Sequence, residues 1–200
     1  MSDSIKVKKR NGRGTEPLDL DKMHKMVEEA CNGIAGVSAS LVEINSGIQF
    51  YDGITTGEIQ EILIKSASDL IDLENPNYQF VAARLISYKL RKEVYGDYQP
   101  CSLRELITDN IARGVYDDEI LQKYTTEELV DLDNYIKHER DDTFTYAGME
   151  QFRGKYLVQD RRTKKHYETP QMLYMMISAT LFADYGDNRM KFVKEYYDAI

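Results

Sequence analysis

Apolar and polar residues alternate over Ile5-Lys6-Val7-Lys8, the period of a half-buried strand. Asn11-Gly12-Arg13-Gly14 supplies turn residues that accept positive φ, and Glu16-Pro17-Leu18 follows as the return strand. A small hairpin with a basic tip is therefore predicted. The period then lengthens to that of a helix. Asp19 or Asp21 caps a segment whose apolar stripe is Met23, Met26, Val27, Ala30 and Ile34, closed by Gly33 and Gly36. Ser38 or Ser40 opens a second helix, with Leu41, Ile44 and Ile48 predicted inward. Thr55-x-x-Glu58 has the form of a capping box ahead of Ile59, Ile62, Leu63, Ala67 and Leu70. Asn75-Pro76 starts a fourth helix, with Tyr78, Val81, Ala82 and Leu85 inward, that runs to Tyr95-Gly96. A hairpin and four helices in residues 1–95 make one domain.

Gln99-Pro100 reads as a joint, and residues 100–200 as a second, helical domain. Leu103, Leu106, Ile107 and Ile111 lie on a helix stopped by Gly114, and Ile120, Leu121 and Tyr124 lie on a short one. Thr125-x-x-Glu128 caps a helix bearing Leu129, Leu132 and Ile136. His138-Glu139-Arg140-Asp141-Asp142 is predicted to be a solvated connection. Phe144 to Phe152 forms a helix ended by Gly154, and Tyr156-Leu157-Val158 pairs with His166-Tyr167 as a hairpin. Thr169-Pro170 begins a helix with Leu173, Met176, Ile177, Thr180 and Leu181 predicted as its buried stripe. A last helix carries Met190, Val193, Tyr196, Tyr197 and Ile200.

Composition narrows the function. The chain has 200 residues, 42% of them hydrophobic and 30% charged, and its net charge is −8. That balance argues against general nucleic-acid binding, which needs a basic footprint. No apolar run approaches the roughly 18 residues that span a bilayer. Cys31 and Cys101 are the two cysteines, seventy positions apart. They exclude a disulfide scaffold or a CxxC zinc site and suit a reducing cytosol. His24, His138 and His166 stand singly, so no catalytic or metal constellation assembles. The charge is uneven, however. Residues 1–25 hold seven Lys or Arg against four acids, a local +3. Lys8-Lys9-Arg10 beside a tight turn, with Lys22 in a first helical turn, suits a polyphosphate, because cations there join a helix N-terminus that already favours anions. A solvated basic edge is the alternative, since no Gly-rich phosphate loop accompanies these residues.

Val7-Lys8-Lys9-Arg10-Asn11-Gly12, Leu20-Asp21-Lys22-Met23 and Asp52-Gly53-Ile54-Thr55-Thr56 with Ile59 resemble the ATP-cone that heads the large (α) subunit of many aerobic class I ribonucleotide reductases. Pro76 to Leu85 and Leu90-Arg91-Lys92-Glu93-Val94-Tyr95-Gly96 are similar to the end of that domain. Tyr124-Thr125-Thr126-Glu127-Glu128, Asp142-Thr143-Phe144-Thr145-Tyr146, Lys155-Tyr156-Leu157-Val158 and Tyr167-Glu168-Thr169-Pro170-Gln171 resemble the helical domain that precedes the catalytic barrel. The closest resemblance is to the enterobacterial and tailed-phage type. The implied fold is mainly α: a β-hairpin-capped helical bundle, then a helical domain with one β-hairpin.

The resemblance implies a cytoplasmic allosteric sensor with ATP or dATP as effector, Mg being admissible with the triphosphate. Lys9, Arg10 and Lys92 would neutralise the phosphates, joined by Lys22. Glu16 and Asp19 would meet the sugar or base, and Thr56 would add a hydroxyl. Val7, Leu18 and Met23 would form apolar walls, and Pro17, Leu20, Asp21 and Gln60 complete the matching positions. The implied partners are the remainder of the α subunit and the radical-bearing β subunit, with no nucleic acid, no membrane, and a homodimer only where the full subunit is present. Cys31 and Cys101 match none of the family's radical or redox cysteines. The catalytic α/β barrel is thus expected to lie outside these 200 residues, which are a fragment or part of a split subunit and do not reduce a nucleotide alone.

Two departures stand out. Gln60 replaces a histidine frequent in dATP-inhibited relatives, and Glu29 replaces an aromatic residue that in some stacks on a second nucleotide. Weakened dATP inhibition is the expectation, checked by activity of the assembled enzyme with dATP. A degenerate cone acting only as a subunit-interaction module is the alternative function. A cone-bearing transcriptional repressor is disfavoured, because it also needs a zinc ribbon.

Overall fold

The computed structural model describes residues 5–9, 14–47 and 49–200. They form two compact units, residues 1–89 with 142–150, and residues 90–141 with 151–200.

The first unit opens with β1 (Lys6–Lys8) and β2 (Thr15–Pro17), antiparallel with Val7 opposite Glu16. The predicted turn at Asn11-Gly12-Arg13 falls outside the described residues. A third strand, β3 (Ile54–Thr55), pairs parallel to β1, Val7 meeting Ile54, so the sheet order is β2-β1-β3. This strand carries too few residues to show a period of two. It is held by Gly53 N donating to Lys6 O at 2.8 Å and by Lys6 N donating to the Asp52 carboxylate at 2.9 Å. Gly53 has φ +85°, a conformation that favours glycine.

Helix α1 (Leu20–Cys31) is capped by Asp19 and buries Met23, Val27 and Ala30. α2 (Ala39–Gly47) packs against α1 and α3 (Thr56–Ser68). Here the predicted stripe is corrected. Val42 and Ser46 face inward while Leu41 and Ile44 are exposed, and Ile48 lies outside the described residues. Ser46 is tolerated inside because its hydroxyl donates to Glu43 O at 2.8 Å. α4 (Tyr78–Val94) buries Tyr78, Val81, Ala82 and Leu85, as its spacing predicts. Its Arg84 guanidinium donates to Asn32 O at 2.6 Å and Ala30 O at 3.3 Å, satisfying carbonyls that the end of α1 leaves open.

The second unit contains α5 (Leu103–Ala112), α6 (Glu119–Lys123) and α7 (Thr126–Tyr135), followed by a 3₁₀ turn, His138–Thr143, that begins in this unit. The connection read as solvated is not fully so. Asp141 is buried and accepts from the Gln171 amide at 3.0 Å. α8 (Tyr146–Gln151) belongs almost wholly to the first unit, and it does not stop at Gly154. It widens into a π turn, Phe152–Tyr156, closed by Leu157 N donating to Phe152 O at 3.0 Å. The predicted hairpin at 156–167 is a chain reversal with one bridge, Gln159 to His166.

α9 (Pro170–Phe182) and α10 (Arg189–Ala199) complete this unit. The face of α9 also needs correction. Met172, Met175 and Ala179 enter the core with Leu103, Ile107, Leu129, Leu132, Val193 and Tyr197. Of the predicted stripe, Ile177 is 37% exposed and Leu181 54%. Leu173, Met176, Ile177, Thr180 and Leu181 instead line an open groove of about 490 Å³.

Candidate functional site

The sheet register decides which lysines work together. Val7 is buried and stands opposite Glu16 on β2. Lys9 lies two residues beyond Val7 and therefore projects from the same face, within diagonal reach of Glu16. Its ammonium is 2.6 Å from Glu16 Oε2. Lys6 and Lys8 project from the opposite face, and the Lys8 side chain runs beside Gly53, where an added Cβ would sit 3.7 Å from Lys8 Cε.

The chain leaves β2 at Pro17 and is tied back by Leu18 N donating to Ile5 O at 2.8 Å. Two residues later Asp19 starts α1. Its Oδ1 accepts from Lys22 N at 3.0 Å, and its Oδ2 pairs with Lys22 Nζ at 3.1 Å. The cap hydrogen bond from Lys22 holds the Asp19 carboxyl below its usual range, and Asp19, then Glu16, raise the pKa of Lys22. Val7, Lys9, Glu16, Asp19 and Lys22 thus gather where the sheet meets the first turn of α1. The site presents two cations, each held by a carboxylate: Lys9 by Glu16 on β2, and Lys22 by Asp19 at the start of α1. Leu20, Asp21 and Pro17 are exposed beside it and Leu18 is half-buried.

The remaining candidates are placed differently. Arg10 lies outside the described residues. Thr56 is the first residue of α3 and half-buried, and Gln60, one turn on, is only 6% exposed. Both are set by the capping box that follows β3: Thr55 Oγ1 accepts from Glu58 N at 3.2 Å, and Thr55 N donates to Glu58 Oε2 at 2.8 Å. Lys92 falls in the second unit, its ammonium 5.0 Å from the centroid of the Tyr98 ring. Sequence reasoning has Asp52 in the family motif but misses its structural part, the grip on Lys6 N that aligns β3. Its signal was the Asp-Gly pair ahead of Ile54.

Burial raises the Cys31 and Cys101 thiols to about 11, which makes them poor nucleophiles at neutral pH. Burial and Arg91 lower His138 to about 4. Among the described residues no group of three or more His, Cys, Asp or Glu is placed to hold a metal ion, and no helix is long and apolar enough to cross a membrane.

The fold and this site define a class. Residues 5–93 match the ATP cone domain, and residues 142–200 match the ribonucleotide reductase all-alpha domain. The whole chain is 45% identical over 201 residues to ribonucleoside-diphosphate reductase 1 subunit alpha of Escherichia coli, covering 26% of that protein. It is 44% identical over 200 residues to the alpha subunit of Haemophilus influenzae, again 26% of its length. Over 188 residues, 93% of the chain, it is 42% identical to the enterobacteria phage T4 alpha subunit and covers 24% of it. The chain belongs to the ribonucleoside-diphosphate reductase alpha-subunit family and corresponds to its N-terminal region, with a mainly α fold. It spans about a quarter of the length of the curated relatives it matches.

Proposed function

We propose that this chain is the adenine-nucleotide sensor of a ribonucleoside-diphosphate reductase, binding ATP or dATP at the junction of the hairpin and α1. One observation carries the reading: Glu16, paired with Lys9, and Asp19, paired with Lys22, lie three residues apart on the link from β2 into the N-terminus of α1, so two cations are held along it. Charge-assisted contacts from these lysines neutralise the triphosphate, and Mg accompanies it. Val7, Leu18 and Met23 line the apolar side. Glu16, Asp19 and Thr56 address the sugar or base, and discrimination of ATP from dATP follows from whether a ribose hydroxyl is paired. Residues 1–95 act as the sensor domain. Residues 100–200 carry its state toward the remainder of the α subunit and the radical-bearing β subunit, where reduction takes place.

Calorimetric titration with ATP, dATP and GTP, alongside Lys9→Ala, tests this. Removing one cation that faces a triphosphate costs about 1.5–3 kcal/mol, so at least a tenfold loss of affinity is expected. Absence of heat with every nucleotide refutes the sensor and leaves the subunit-contact role.

A further inference from the structure

Lys9 and Lys22 are both engaged before any nucleotide arrives, and the carboxylates that hold them are not equivalent. Asp19 has one oxygen committed to the Lys22 amide, so it cannot leave without uncapping α1. Among the described residues the Glu16 side chain carries no such duty. It sits mid-strand on the short outer strand β2, its side chain 38% exposed, with Oε2 2.6 Å from the Lys9 ammonium. Its charge also acts on Lys22, whose proton affinity it raises after Asp19. One carboxylate is therefore in direct contact with Lys9 and also acts by its charge on Lys22.

We propose that Glu16 is a built-in competitor anion: in the nucleotide-free protein it fills the phosphate position on Lys9, and the incoming polyphosphate must displace it. This rests on the nucleotide reading above. Glu16 then sets the affinity of the site rather than adding to it, because each binding event exchanges one anion on Lys9 for another. A carboxylate retained beside the bound phosphates also repels them. The displaced side chain remains close enough to meet a sugar hydroxyl, and an amide of the same shape can do that equally well.

Glu16→Gln separates the two roles. It keeps length and an acceptor oxygen while removing the charge. ATP titrations of the whole chain should then give about three- to tenfold tighter binding at low salt, since an exposed pair of this kind is a weak one. The gain should shrink toward unity as salt is raised past about 0.3 M, where such charges are screened. It should fall below about twofold in a Lys9→Ala background, where there is no ammonium left to release. Unchanged melting temperatures and helical signal in Glu16→Gln show that the site is intact. Equal or weaker ATP binding by Glu16→Gln overturns the competitor and leaves the nucleotide site standing, as does a gain that persists undiminished without Lys9. No ATP binding by either the natural chain or Glu16→Gln overturns the site itself.

Discussion

Thr55→Ala tests how the junction of β3 and α3 is built. Thr55 ends β3 and caps α3, and its hydroxyl works in both directions: Oγ1 accepts from Glu58 N at 3.2 Å and donates to Glu58 Oε2 at 2.7 Å. The same carboxylate takes the Thr55 amide at 2.8 Å and, through Oε1, the Tyr51 hydroxyl at 2.9 Å. Loss of a threonine cap costs about 1 kcal/mol, and loss of its bond to the carboxylate brings the total to about 1–2 kcal/mol. For a chain of this length that lowers the melting temperature by about 2–8 °C. The acid limb sharpens the test. The Thr55 hydroxyl first, then the Thr55 amide and Tyr51, hold Glu58 below its ordinary 4.5. A depressed carboxyl contributes stability that is present above its unfolded value and lost as pH falls through the folded one. Melting followed by circular dichroism from pH 7 downward should show the wild type losing stability below about pH 4.5 more steeply than Thr55→Ala. Thr55→Ser, which preserves the cap, should behave as wild type. A melting temperature within 1 °C of wild type and an unchanged acid slope, allowing about that error on each melt, would refute the reasoning.

Two further outcomes are expected. His24 bridges helices, with Nδ1 2.7 Å from Glu43 on α2 and Nε2 3.1 Å from Glu28 on α1, and Glu43 chiefly raises its pKa. A raised histidine contributes stability fully present below its ordinary 6.5 and lost as pH rises through the folded value. The His24 ring should therefore titrate above 6.5 by NMR, and His24→Gln should flatten the pH dependence of melting in that window. A midpoint at or below 6.5 counts against the bridge. In the second unit Gln171 is buried, donating to Asp141 at 3.0 Å and accepting from the Tyr197 hydroxyl at 2.6 Å. Gln171→Leu removes both bonds at once and should cost about 2–4 kcal/mol in urea denaturation, with less than about 1 kcal/mol contradicting that account.

What could be read from the residues was what is local. Asp19, Thr55 and Thr125 cap helices as their spacing predicts, because a cap depends on three or four consecutive residues. The faces of α2 and α9 were misread for a common reason. A pattern rule sends polar residues outward, yet Ser46 and Ser178 bond carbonyls of their own helices, and Gln171 finds Asp141 and Tyr197. Each is thereby satisfied inside. α9 also carries apolar residues on every side, so the 3/4 spacing fits two faces equally. The candidate lysines were visible as charge, but not their pairing. That depends on Val7 lying opposite Glu16, a register set partly by β3, forty-seven residues along the chain from Val7.

Asp19 keeps its two oxygens on two different tasks, one fastening the backbone of α1 and the other steadying the Lys22 side chain. A ligand that draws Lys22 away therefore unfastens a side chain and leaves the helix start in place. Such a displacement would need no melting or regrowth of helix, so far-ultraviolet circular dichroism should be blind to it.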